Sequence, residues 1–412
     1  MRRPLILTAA AVTVLALTAC TATPVATSSD APAATGTSTA PPESDDPRVA
    51  EIAELVDATV SEHALKSAIV QVLVDGKELT TVVLGESTMG VPATADMHFR
   101  NGAVAISYVV AVLLQLVDDG TVSLDDTIDE WLPELPNADA VTLRMLVNMT
   151  SGYADHVADQ DFLDSLDADP FQNYTSDDLI GFSLATPHLF EPGTNWDYSH
   201  AGYVMLGEAL TAATGKPMSQ LMDELIIEPL KLDDTVGDQG PLIPEPVQHA
   251  FTAERGVWED STYWDPSWTL PVGAVQTTTI SDMARSFDAI VGAGELLSPE
   301  SYEAMVAPSL VGFGSPLEGC SSCHELTKEW NYGLGVVRSE NWLLQTPSFG
   351  GYAGAVATLP SERITVAASV TYTEASQTDW PGTLRNRADD LVRRIATLLS
   401  PDDAPTASRA DG

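Results

Sequence analysis

Two stretches of the sequence have residue types and spacing that could carry chemistry. The first is Gly319-Cys320-Ser321-Ser322-Cys323-His324. Two thiols three residues apart can close a local disulfide, act as a redox pair or help hold a metal, and Cys-x-x-Cys-His also matches a c-type haem attachment pattern. Two sulfurs and one histidine fall one ligand short of a closed zinc site. The stretch reads as a Gly/Ser-rich loop, not part of a small helical cytochrome. In an exported chain the compartment favours oxidation, so a Cys320–Cys323 disulfide is expected, with no metal and no cofactor. The second stretch is FRNGAVAISYVVAVLLQLVDDG, Phe99 to Gly120. It reads as the start of a helix that could present a nucleophile. Its first turn, however, carries only Ala103, Val104, Ala105 and Ile106, and none of these can attack a carbonyl or move a proton.

Such a helix must be held by other elements. Pro47–Leu65 has Val49, Ile52, Leu55, Val56 and Val60 at helical spacing and predicts an amphipathic helix. SAIVQVLVDGKELTTVVLG predicts two strands joined at Asp75-Gly76, a strong hairpin signal. Ala103–Val117 is apolar on nearly every face, which places that helix in the core. TLRMLVNMTSG, SHAGYVMLGEALTAATG and SQLMDELIIEPL predict further helices with glycine or proline stops. YGLGVV, WLLQT, AVATLP and ITVAASVTY predict four short strands, and a last helix is expected over about residues 383–399. Strands at both ends with helices between them predict an α+β fold: an antiparallel sheet flanked by helices, with a mostly helical subdomain.

The ends of the chain speak about location. Arg2 and Arg3 precede PLILTAAAVTVLALTA, an apolar run too short to be a confident membrane span. Leu17-Thr18-Ala19-Cys20 looks like a bacterial lipobox, so residues 1–19 are expected to be a lipoprotein signal peptide and Cys20 the lipid-bearing first residue. That predicts an extracytoplasmic protein anchored to the bacterial cell membrane. Residues 20–46, rich in Ala, Thr, Ser and Pro, predict a disordered tether. Residues 47–400 are the expected domain and 401–412 a disordered tail. Across 412 residues, 59 acidic side chains face 19 basic ones, a formal net charge of −40. A surface this acidic repels nucleic acid, which is discounted as a partner.

The order of pieces along the chain carries a resemblance. After the hairpin and buried helix come VSLDDTIDEWLPELP, VTLRMLVNMTSG, EPGTNWDYSHAGYVMLGEAL, TGKPM, EPLKLDDT, GAVQTTTISDMA and YGLGVV. Together they resemble the serine β-lactamase-related, penicillin-binding-protein-like family, which includes class C β-lactamases, D-alanyl-D-alanine peptidases and esterases, over about residues 65–395. The resemblance implies three catalytic clusters. A Ser-x-x-Lys pair at the head of the buried helix supplies nucleophile and base, and three-residue spacing puts both on one face. Here those positions are Ala103 and Ile106. Ser107 lies one position late, about 100° around the helix. A Tyr-x-Asn pair moves protons and holds the substrate amide; here it reads Tyr198-Ser199-His200, and His200 is of a type that titrates near neutrality. A His- or Lys-x-Gly strand lies beside the nucleophile; here it aligns with Ser348-Phe349-Gly350, with no basic residue. The family's oxyanion hole uses backbone N–H groups, so those of Ala103 and Gly351 could still hold a carbonyl or carboxylate, and Gly350 and Gly351 would let a ligand approach.

Tyr198, His200, Gly350 and Gly351 are thus the expected binding residues of a domain without its Ser-Lys pair. The expected function is a catalytically inactive binding or scaffold protein of the cell envelope, whose partner is a peptidoglycan stem peptide or an envelope protein. The alternative is an active serine hydrolase that uses Ser199 or Ser348 with His200 or Tyr198 as base. A redox protein acting through Cys320 and Cys323 is a third reading.

Overall fold

The structure is a computed structural model that describes residues 46–237, 240–377 and 385–406. The expected signal peptide, Cys20 and all but the last residue of the tether lie outside the described residues, as do residues 407–412. Among the described residues no helix is long and apolar enough to cross a membrane.

Strands β1 (Leu65–Val74) and β2 (Lys77–Thr88) form the hairpin expected around Asp75-Gly76. Both turn residues have positive φ, +53° and +70°, the geometry whose twist matches that of the flanking strands and which Asp-Gly accepts with little strain. β3 (Val91–Pro92) extends one edge. The C-terminal part of the chain adds β4 (Asn331–Tyr332), β5 (Val337–Ser339), β6 (Trp342–Gln345), β7 (Ser348–Phe349), β8 (Tyr352–Leu359) and β9 (Ile364–Tyr372). The sheet runs β3-β2-β1-β9-β8-β6-β5-β4, with β7 also on β8, and every pairing is antiparallel. It is the α+β fold expected from the order of elements.

β8 and β9 are buried at every position, which explains why their sequences read as continuous apolar runs without alternation. A sheet covered on both faces has no solvent side to pattern. The covers are α1 (Pro47–Glu62) and the C-terminal helix Arg387–Leu399, which pack together on one face, and the helix Ile280–Phe287 against β1 and β9. The long connection between β3 and β4 carries the helical part. Its centre is α2 (Val104–Asp118), buried at every residue from Val104 to Leu114. Each such Val, Leu or Ile contributes about 1.5–3 kcal/mol of apolar burial, so α2 is kept by packing whatever stands at its head.

The chain stays ordered past residue 400. Pro401–Asp403 forms a turn of 3-10 helix, the Asp403 carbonyl accepts Trp342 Nε1–H at 2.6 Å, and the Thr406 hydroxyl donates to the Glu329 carbonyl at 2.8 Å. The expectation of a disordered tail from 401 is therefore incorrect for residues 401–406. Their local composition is that of a tail; their anchors, Trp342 and Glu329, lie more than 60 residues earlier in the chain.

Candidate functional site

The site is built at the head of α2. Asn101 fixes the approach: its side chain accepts the Gln276 N–H at 3.0 Å and donates to the Gln276 side chain, while its carbonyl accepts the Val104 N–H. Gly102 has φ +50°, and a Cβ there would stand 2.7 Å from Pro347 Cβ. Only glycine lets the helix head meet Pro347 so closely. Ala103 holds the N-cap position without any side-chain cap bond, and its N–H has no acceptor among the described residues. Ile106 is 0% exposed. Ser107 is equally buried; it donates to the Gly335 carbonyl at 2.7 Å and accepts from the Gln345 amide at 3.3 Å, so it is a structural hydroxyl.

The third cluster moves by three residues from its expected place. The residue against the head of α2 is Pro347, not Gly350, which sets Gln345-Thr346-Pro347 where Ser348-Phe349-Gly350 was aligned. Gln345 replaces the basic residue and is buried, its amide donating to the Gly335 carbonyl at 2.8 Å. The ladder then decides which backbone donor faces the site. Gly354 N–H reaches the Pro347 carbonyl at 2.9 Å, and Ser348 lies opposite Ala353. Pairs alternate between bonded and non-bonded in an antiparallel ladder, so the Ser348 N–H points away from β8. Ala103 and Ser348 each follow the Gly102–Pro347 contact, which makes their N–H groups the candidate donor pair in place of those of Ala103 and Gly351. Gly350 and Gly351 instead make the β7–β8 turn, with φ +40° and +84°. The close approach they allow is taken by the protein itself: a Cβ on Gly350 would meet the Trp264 ring at 3.0 Å, and one on Gly351 the Phe251 carbonyl oxygen at 2.2 Å. They are not ligand-lining glycines.

Tyr198 and His200 do come together, with ring centroids 5.1 Å apart. Burial raises the Tyr198 phenol well above its ordinary value, and Tyr332 and Asp155 raise it further. Among the described residues no cation acts on Tyr198 to favour a phenolate, and Ile106 and Gln345 stand where the family resemblance places basic residues. A partner that sequence reasoning missed is Asp155. Its carboxylate accepts His200 Nδ1–H at 2.8 Å and the His200 backbone N–H at 3.1 Å. Burial pushes Asp155 up, but His200, His156 and the Val157 N–H outweigh it and hold the carboxyl below its usual range. With Nδ1 bound to the carboxylate, Nε2 is the ring nitrogen of His200 left for another partner. Ser199 caps the helix His200–Thr214 by accepting the Gly202 N–H at 3.3 Å, and it is buried. That rules it out as the alternative nucleophile. Ser348 is exposed, and its hydroxyl makes no hydrogen bond among the described residues. Phe349 stacks on Trp268 at 5.6 Å, and Trp268 lies 6.5 Å from His200. The run Phe349, Trp268, His200, Tyr198 forms an aromatic wall.

His156, beside Asp155, gives a measurable signature. It is 0% exposed and bonds the Trp268 carbonyl through Nε2 at 2.8 Å. Burial lowers it to about 4 from an ordinary 6.5, against the charge of Asp155. A base with a depressed folded-state pKa stabilises the protein fully above its unfolded pKa, and that contribution is lost as pH falls toward the folded value. Stability is expected to drop by about 3 kcal/mol between pH 7 and pH 4 from this group. The contribution of Asp155 is lost only at lower pH. Denaturation midpoints across this range should show the slope in the parent and a flatter one in His156→Gln; equal slopes would count against the assignment.

The cysteines of the Gly/Ser-rich loop are joined as a disulfide, Cys320–Cys323. The loop packs on the residues just before Tyr198. Asn195 and Ser315 exchange two hydrogen bonds, Trp196 lies against His324, and Asp197 receives the Ser322 hydroxyl.

The sequence signature of the Beta-lactamase family matches residues 52–391. The chain belongs to the beta-lactamase family. A penicillin-binding protein 4 of Amycolatopsis lactamdurans is 28% identical over 291 residues, 68% of this chain and 73% of that protein. The esterase EstB of Burkholderia gladioli is 28% identical over 198 residues, 45% of this chain and 50% of its own length. The chain thus spans about half to three quarters of these relatives. Among solved structures, the D-amino acid amidase of Ochrobactrum anthropi SV3 complexed with D-phenylalanine superposes with a TM-score of 0.70 at 21% identity, covering 87% of this chain and 100% of that one. A D-stereospecific amidohydrolase from Streptomyces gives 0.67 at 21%, covering 81% and 99%. These confirm the beta-lactamase fold. Within it, Asp155, Gln345 and Pro347 were missed because no local motif marks them; only the fold brings them to the head of α2.

Proposed function

We propose that this beta-lactamase family member is a non-acylating binding domain of the cell envelope, lipid-anchored through Cys20, whose ligand is the carboxylate-bearing end of a peptidoglycan stem peptide. One observation carries the reading. The helix head that would hold nucleophile and base holds a methyl group at Ala103 and a fully buried aliphatic chain at Ile106. Removing a catalytic serine alone costs about a million-fold in a serine protease. What survives suits binding: two backbone donors at Ala103 and Ser348 for a carboxylate, an aromatic wall for apolar groups, and His200 oriented by Asp155.

Fluorescent penicillin is the test. The purified protein is expected to form no covalent adduct, while an N-acylated D-Ala-D-Ala peptide binds reversibly in calorimetry and is recovered intact. Turnover of a β-lactam, ester or D-Ala-D-Ala peptide that a single substitution in the cleft abolishes would overturn the proposal. The Asp155–His200 pair favours one second reading, hydrolysis with Ser348 as nucleophile and His200 as base. A fluorophosphonate adduct mapped to Ser348 would establish it.

A further inference from the structure

We propose that the Cys320–Cys323 disulfide is a redox centre that accepts two electrons from a dithiol partner, with Asp197 as its proton relay. The proposal is independent of what the cleft binds.

The fold gives this disulfide little structural work. A cross-link stabilises by restricting the unfolded chain, and least for the shortest loops; here only Ser321 and Ser322 lie between the sulfurs. The loop is already held by the paired bonds of Asn195 with Ser315, at 3.1 and 2.8 Å, and by Trp196, whose ring centroid is 5.3 Å from those of both His324 and Trp330. What surrounds the sulfurs is suited to thiolate chemistry. The Cys323 N–H donates to Cys320 Sγ at 3.1 Å, a bond that strengthens when that sulfur carries charge. Asp197 Oδ1 lies 3.2 Å from the same sulfur. Its residue is buried, as are both cysteines, whereas Gly319 and Ser321, flanking Cys320, are exposed. Cys320, 9% exposed against 5% for Cys323, is the cysteine an incoming thiolate attacks.

The electrons and protons balance without a metal or cofactor. A thiolate of the partner attacks Cys320 Sγ; the new S–S bond forms as the Cys320–Cys323 bond breaks, and Cys323 leaves as a thiolate that takes a proton from water. The partner's second thiolate then attacks its own mixed-disulfide sulfur and displaces Cys320. Asp197 in its acid form protonates that leaving sulfur and is reprotonated by solvent. The partner is oxidised to a disulfide, and Cys320 and Cys323 are reduced to thiols. Burial, with a smaller push from Asp155, lifts Asp197 to about 6 against the hydrogen bond from Ser322. A carboxyl with that value both gives and takes protons near neutrality. The other titratable groups along residues 195–198 and 315–325 are Tyr198, Glu318, His324 and Glu325, and Asp155 acts on Asp197 from its own segment.

The test uses the folded full-length chain in graded mixtures of reduced and oxidised glutathione, followed by alkylation and peptide mass mapping, which reads Cys320 and Cys323 apart from Cys20. Both cysteines are expected to become alkylated together without denaturant, at a glutathione ratio the couple can poise. Reduction by dithiothreitol should show an inflection near pH 6. Asp197→Asn keeps an acceptor for Ser322 and is expected to slow reduction about ten-fold at pH 7 and to erase the inflection; Ser322→Ala should move it to higher pH. A bond that stays oxidised until urea unfolds the protein overturns the redox centre. Rates and pH profiles unchanged in both variants overturn Asp197 as the relay.

Discussion

Ile106→Lys is expected to lower the free energy of unfolding by about 4 kcal/mol, read as a fall in the urea midpoint with the slope unchanged. The substitution restores the residue type that the family resemblance places at this position, so a chain that had merely lost its base would accept it. Here the site is 0% exposed and closed by its surroundings. Ser107 and Gln345 are engaged with each other and with the Gly335 carbonyl. The Tyr198 phenol stays neutral because burial raises it, so it offers no counter-charge. An ammonium placed there is buried without an anion, and its desolvation is not repaid by any pairing. Ala103→Ser, by contrast, adds one hydroxyl at a partly exposed helix end and is expected to be nearly neutral for folding. A double variant that folds as well as the parent and is acylated by penicillin would show that the cleft has kept its catalytic surroundings, and the argument that position 106 no longer accepts a cation would fall.

Gly351→Ala should destabilise by about 3 kcal/mol or more while a correctly folded remnant binds ligand as the parent does. Glycine beside a former reaction centre invites the idea that it clears space for a ligand, and on that idea alanine would fold normally and bind poorly. The structure makes the opposite case. Gly351 has φ +84°, where an L side chain is strained, and its added Cβ would sit 2.2 Å from the carbonyl oxygen and 2.7 Å from the carbonyl carbon of Phe251. Both are backbone atoms, so neither can swing aside. The β7–β8 turn must shift away from the Phe251–Thr252 strand or lose its shape. A thermal or urea midpoint close to the parent's, combined with lost binding, would return Gly351 to the ligand site.

Much of this protein is legible in its sequence. Asp75-Gly76 marked its hairpin because only a few residue pairs accept positive φ at both turn positions. The apolar continuity of residues 103–117 marked a core helix because no surface helix is apolar on every face. The absence of a nucleophile at Ala103 and of a base at Ile106 was a matter of residue type alone. The tail after 400 and the third cluster were misplaced for related reasons. Thr406 is held by Glu329 and Ser339, far from it along the chain, and whether Pro347 or Gly350 meets the helix head depends on where β7 lies against β8, a register that short apolar and glycine-rich segments do not specify on their own.

Chemical capacity belongs to side chains, and a side chain's identity is written in the sequence: Ala103 cannot become an alkoxide in any fold. Which groups meet is another matter. Asp155 reaches His200 across 45 residues, Asp197 reaches Cys320 across 123, and Gly102 meets Pro347 across the whole helical insertion. Such contacts arise from the packing of complete elements, so no local pattern encodes them, and the tertiary structure alone decided which vacated positions became core and which polar groups were left poised.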